Sequence, residues 1–141
     1  MKRVLLIALL IAFTFGVKAQ DNIFGKWKTI DDETGKAKSI VEIYEKDGKA
    51  YGKIVKLFRS PNEEQDPICD ECEDDRKNKK IIGMEIIREM EKDGDEWEDG
   101  TILDPKSGKI YDCEIWRDGE ELKVRGYIAF LYRTQTWLKA D

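Results

Sequence analysis

The sequence predicts an all-β fold, an antiparallel up-and-down barrel of about eight strands. Three observations carry this reading. Short stretches with strand character follow one another from Phe24 to the C-terminus, and Asp-Gly pairs sit where neighbouring strands would reverse. The only long connection runs from Arg59 to Lys80. Sequential hairpins of this kind close readily into a barrel, and closure removes the sheet edges that invite pairing with other chains.

Phe24–Ile30, Ser39–Lys46 and Lys49–Phe58 form the first three expected strands. Glu96–Leu103, Lys109–Arg117, Glu120–Phe130 and Thr134–Lys139 follow the long connection. Ile82–Lys92 reads two ways. Ile82, Ile86, Ile87 and Met90 fit a helical face, whereas Met84 and Ile86 with charged neighbours fit a strand. The turn signals that follow it match those after the other strands, so strand is preferred.

Two hairpins are specified by their pairing. A turn at Asp47-Gly48 sets Tyr44 opposite Tyr51, Glu42 opposite Lys53 and Val41 opposite Ile54. A turn at Asp118-Gly119 would set Ile115 opposite Leu122, Cys113 opposite Val124, Glu114 opposite Lys123 and Asp112 opposite Arg125. Each pairing gives one apolar face and one face of opposite charges. A slip of one residue would destroy both patterns.

Residues 1–19, MKRVLLIALLIAFTFGVKA, have the features of a secretory signal: Lys2 and Arg3, an apolar run from Val4 to Val17, and a Val17-x-Ala19 cleavage site. Residues 20–141 would then form one exported domain, periplasmic or secreted, with no stable membrane insertion after cleavage. Losing Lys2, Arg3 and Lys18 takes the net charge from −5 to −8, with 22 cations against 30 acids. This acidity disfavours nucleic acid and anionic membrane surfaces as partners.

The stretch PICDECEDDRKN, residues 67–78, places Cys69 and Cys72 at a C-x-x-C spacing among acids. A redox thiolate needs cations or a helix N-terminus, and Asp66, Asp70, Glu71, Glu73, Asp74 and Asp75 supply the opposite field. A Cys69–Cys72 disulfide restraining the long loop is expected in an oxidising compartment, with metal binding and redox chemistry as the alternatives. Zinc is poorly served by three cysteines and no histidine, and the acidic run lacks the order of a calcium loop. No metal or cofactor is expected. DPKSGKIY at 104–111 contains Ser-Gly-Lys but has Leu103 in place of the first glycine of a phosphate loop, so it reads as a turn. Without histidine there is no conventional nucleophile–base pair, and no catalytic residue is assigned.

Several stretches together resemble the domain-of-unknown-function 2147 family of small exported bacterial proteins. They are Gly25-Lys26-Trp27, Tyr51–Val55, Cys69-x-x-Cys72, Ile81–Ile87, Asp95–Cys113, Leu122–Phe130 and Arg133–Trp137. Tyr132 stands where that family usually has glycine, and Leu138-Lys139 replaces a more typical aromatic or small residue followed by arginine. The resemblance implies a lipocalin-like architecture and no established activity. Phe24–Trp27 is similar to the first-strand Gly-x-Trp motif of lipocalins, in which a cation from the last strand covers the tryptophan. Arg133 or Lys139 is the expected cation here.

The function expected is non-catalytic binding of a small apolar or amphiphilic molecule. The alternative is a structural or protein-interaction module of the cell envelope with a side-chain-filled core. Trp27, Tyr111, Arg125, Tyr127, Arg133 and Trp137 are the candidate ligand-binding residues, drawn from the aromatic set and its cations. Gly52, Gly126 and Ala129 are the residues expected to leave room inside.

Overall fold

The computed structural model describes residues 22–140; the expected signal segment lies outside them. Eight strands run in chain order: β1 Gly25–Ile30, β2 Ala37–Lys46, β3 Lys49–Leu57, β4 Glu85–Asp93, β5 Glu96–Leu103, β6 Ile110–Asp118, β7 Glu121–Ile128 and β8 Leu131–Lys139. Each pairs antiparallel with the next, and β8 returns to β1 through Trp27↔Lys139 and Lys28↔Leu138 to close the barrel. The order places the β1–β2, β3–β4 and β5–β6 connections and the β7–β8 turn at one end, and the two-residue turns after β2, β4 and β6 at the other.

The first hairpin has the expected register, with Val41↔Ile54, Glu42↔Lys53 and Tyr44↔Tyr51. Asp47 and Gly48 both take positive φ, 53° and 77°, as a turn matched to strand twist requires. The second hairpin corrects the expectation. Its turn is Gly119-Glu120, so Ile115 faces Val124, Cys113 faces Gly126 and Glu114 faces Arg125. Gly119, at φ 60°, takes the first central position, where glycine favours the alternative two-residue turn. The shift is two residues, which keeps every side chain on its expected face.

The ambiguous stretch Ile82–Lys92 resolves as strand from Glu85 onward, the beginning of β4, and the strand's irregularity explains the double reading. The β3–β4 register shifts between Lys53↔Glu85 and Gly52↔Ile87, and again before Ala50↔Met90. Glu89 adopts φ 57°. These bulges break the two-residue period and bury Ile86, Ile87 and Met90 together, a spacing that imitates a helical face. The last expected boundary also moves. β7 ends at Ile128 and β8 starts at Leu131, joined by Ala129-Phe130 with Ala129 at φ 53°.

The half of the barrel around the tight turns is solid. Trp27, Ile43, Ala50, Met90, Ile115 and Leu122 are all essentially buried there. Trp27 Nε1 donates to the Ile23 carbonyl at 2.8 Å. The cation over its ring is Arg117, 5.0 Å from the centroid, and not Arg133 or Lys139. Arg117 also donates from Nη1 to the Asn22 carbonyl at 2.8 Å and from Nε to the Gly119 carbonyl at 2.7 Å. One side chain from β6 thereby ties the entering chain and the last tight turn across the closed end.

Residues 58–84 form a structured arm rather than a free loop. Cys69 and Cys72 are joined in a disulfide and fully buried. The arm rests on the β5–β6 connection: the Cys69 sulfur lies 3.4 Å from the Pro105 carbonyl, and a Cβ at Gly108 would collide with the Glu71 carbonyl oxygen. Four of its acids, Glu63, Asp66, Asp74 and Asp75, are engaged by cations. Asp74 accepts from buried Arg76 at 2.6 Å, which in turn donates to the Glu85 carbonyl at 2.9 Å. Asp75 accepts from both terminal nitrogens of Arg88 at 2.8 and 2.9 Å. That bidentate bond holds the Asp75 carboxyl down at about 2.

Candidate functional site

The other half of the barrel is hollow. A cavity of about 610 Å³ opens among the β1–β2 and β5–β6 connections and the β7–β8 turn, within the size range of small-molecule sites. Its two sides differ in chemistry. Ile54, Leu57, Ile86, Ile102, Leu103 and Val124 make one wall apolar. Thr29, Ser39 and Gln135, from β1, β2 and β8, make the other wall polar. Strand alternation produces this side: Thr29 follows Trp27 inward on β1, Ser39 precedes Val41 inward on β2, and Gln135 precedes Trp137 inward on β8.

The Thr29 and Ser39 hydroxyls are buried cross-strand partners 2.6 Å apart. Trp137 forms part of the floor and donates its Nε1 proton to Gln135 Oε1 at 3.0 Å. That bond fixes the Gln135 amide with its NH₂ group directed away from the indole and within 3.5 Å of Asp32. The mouth carries Lys38, Lys106 and Arg133 beside Asp31, Asp32 and Glu33. Arg133 donates to Asp32 at 2.8 Å. Gly126 faces the cavity, whereas the space expected at Gly52 is filled by Ile87 and Val41, which approach its Cβ position to 3.0–3.2 Å. Ala129 lies in the β7–β8 turn.

Of the sequence-selected residues, Tyr111, Trp137 and Arg133 border the cavity. Trp27 lies in the solid half. Arg125 and Tyr127 occupy the outer face, because their neighbours Val124 and Gly126 point inward. Arg125 is held between the rings of Trp116 and Tyr132, 4.8 and 4.4 Å away, and donates from Nε to Thr134 Oγ1 at 2.8 Å. Tyr127 donates its hydroxyl proton to Glu114 at 2.6 Å, which raises the phenol pKa and, with a bond from Glu96, lowers that of Glu114. The pairing expected for Arg125 with Asp112 is taken by Tyr127. Reasoning from aromatics missed Thr29, Ser39 and Gln135. Polar residues at inward strand positions were the signal that could have found them.

A closed eight-stranded antiparallel barrel, packed at one end and open to a cavity at the other, is a lipocalin-like barrel. The chain belongs to the bacterial family described as "Uncharacterized protein conserved in bacteria (DUF2147)", whose profile matches residues 25–139. Among solved structures it is similar to one described as "Protein HP1028 from the human pathogen Helicobacter pylori belongs to the lipocalin family". The two share 17% identity and a TM-score of 0.72 over 85% of this chain and 84% of that one. A search of curated proteins finds no match.

Proposed function

We propose that this protein is an exported, non-catalytic barrel that binds one small amphiphilic molecule. The observation that carries the reading is the two-sided cavity, with an aliphatic wall facing buried hydroxyls and an amide. An apolar body gains from leaving water against the aliphatic wall, by about 25 cal/mol for each Å² covered. A hydroxyl, carbonyl or amide on the ligand meets Thr29, Ser39 and Gln135, which would otherwise favour water over a purely hydrocarbon guest. Tyr111 and Trp137 supply flat contact area, and Arg133 stands where a polar head would emerge. The Cys69–Cys72 disulfide supports residence in a non-reducing compartment. The carboxylates on the rim are committed largely to turns and to Arg133, an arrangement suited to holding shape rather than moving protons.

The test is a native mass spectrum of protein recovered from an oxidising compartment, beside its denatured mass. A native excess that disappears on denaturation, with a mass shared across preparations, supports the carrier. Matching masses after repeated purification, with no uptake of added fatty acids, sterols or isoprenoids, overturn it.

A further inference from the structure

The rim of the cavity carries an apolar projection on the β7–β8 turn. Ile128, Phe130, Leu131 and Tyr132 are 54%, 88%, 64% and 62% exposed. They are consecutive but for Ala129, and Ile128, Leu131 and Tyr132 also border the cavity. The apolar surface is therefore continuous from the tip of the turn into the barrel. On either side of this tip, the β5–β6 connection carries Lys106 and Lys109, and the start of β2 carries Lys38. None of these three has a carboxylate within 4.0 Å among the described residues. The nearby acids are mostly occupied. Asp31 accepts from the Glu33 and Thr34 amides, Asp104 from the Lys106 amide and the Ser107 hydroxyl, and Asp32 from Arg133. Glu33 remains exposed.

We propose that this tip is a lipid-docking element: Phe130 and Leu131 enter the headgroup layer of a bilayer, with the three lysines reaching lipid phosphates. Tyr132, apolar in its ring and polar at its hydroxyl, suits the interface itself. Docking is shallow and reversible, since a five-residue tip is far too short to span. Apolar insertion leads and the lysines orient, which reconciles docking with a chain that is acidic as a whole. The direction rests on the carrier reading, because docking places the cavity mouth against the membrane. An amphiphile could then pass between bilayer and barrel without crossing water.

The closed barrel lies within residues 22–140, so the test uses the chain from Gln20 onward with mixed phosphatidylethanolamine and phosphatidylglycerol vesicles. Flotation should recover the protein with the vesicles. The F130S/L131S double substitution should lower the bound fraction at least tenfold at an unchanged melting temperature, since it removes both apolar side chains that enter the headgroup layer. L138S, which removes an exposed leucine near the opposite end, should leave binding intact. No flotation of the parent chain overturns the proposal, as does equal loss in L138S. So does a parent dimer that F130S/L131S converts to monomer without any vesicle binding, which would make the tip an interface between copies. Vesicle binding by a protein whose native mass is always empty would sink the carrier and leave the docking element standing.

Discussion

Substituting Gly126 by phenylalanine separates the cavity from the fold. Gly126 lies on β7 facing the hollow half, without positive φ. A Cβ there would rest 3.4 Å from the Tyr111 Cβ and 3.9 Å from the Ile102 Cγ2, ordinary contact distances. The strand can therefore accept a side chain, and phenylalanine fits a pleated strand better than glycine by up to about 1 kcal/mol. An aromatic ring fills about 150 Å³ of cavity, roughly a quarter of the 610 Å³ present. Losing about 60 Å² of apolar contact costs a bound ligand about 1.5 kcal/mol, or about tenfold in Kd. The assay is fluorescence titration with anilinonaphthalene sulfonate, beside thermal melts of both proteins. G126F should bind the dye about tenfold more weakly with its melting temperature unchanged or raised, and G126A should fall between. Undiminished dye binding by a folded G126F would place the dye elsewhere and refute the assignment of the cavity as the binding site.

Gly108 should be the least replaceable glycine of the connections. It combines φ 73° with a Cβ position that collides with the Glu71 carbonyl oxygen, so G108A should lose about 2–4 kcal/mol in urea unfolding. At the closed end, R117M keeps bulk over Trp27 but loses two hydrogen bonds and the cation; about 1–2 kcal/mol should go. R133M, at a 71% exposed side chain, should change stability by less than about 1 kcal/mol, and the reverse ranking would restore the cation expected from the last strand. The arm's acid sensitivity follows from Asp75. Its carboxyl is depressed to about 2 by the bidentate bond from Arg88, so this stabilisation is present above the ordinary carboxylate pKa near 4 and fades as pH falls through about 2. Melts from neutral to acid pH should show this slope, and R88M should flatten it.

The architecture was legible because its information is local. Asp47-Gly48 carries its own turn geometry, and alternation on β2 and β3 fixes which face is inside. Gly119 shows the limit of that information. Asp118-Gly119 and Gly119-Glu120 both make a two-residue turn with the same facing, and only the closure of β6 on β5 and β7 on β8 chooses between them. Met90 and Ile87 show another limit, since the bulges that bury them arise from fitting β4 between two neighbours and mark the periodicity only as a spacing that imitates a helical face. The Ala129-Phe130 turn was invisible because alanine takes a positive φ normally left to glycine or asparagine. Its price in the sequence was a run, Tyr127–Phe130, that reads as uninterrupted strand. The site was less legible than the fold. Aromatic residues are conspicuous in a sequence, but Arg125 and Tyr127 spend theirs on the outer face, bound to Trp116, Tyr132 and Glu114.

What makes one end of the barrel a plug and the other a cup is residue size at inward positions, with the strands unchanged between them. β1 presents Trp27 low and Thr29 high; β2 presents Ile43 and Val41 low and Ser39 high; β7 presents Leu122 low and Gly126 high. The large members fill the interior around Trp27 to the density of a core, and the small ones leave the upper volume empty. An interaction module with a filled core would gain stability by placing a leucine or valine at Ser39, where the present hydroxyl finds its partner only in Thr29. Keeping two buried hydroxyls facing an aliphatic wall forgoes that packing, which is what the proposed carrier requires of its polar side. The same logic joins the cavity to the β7–β8 tip. Ile128 and Leu131 are cross-strand partners at the mouth, so the apolar surface continues outward from the cavity along this turn.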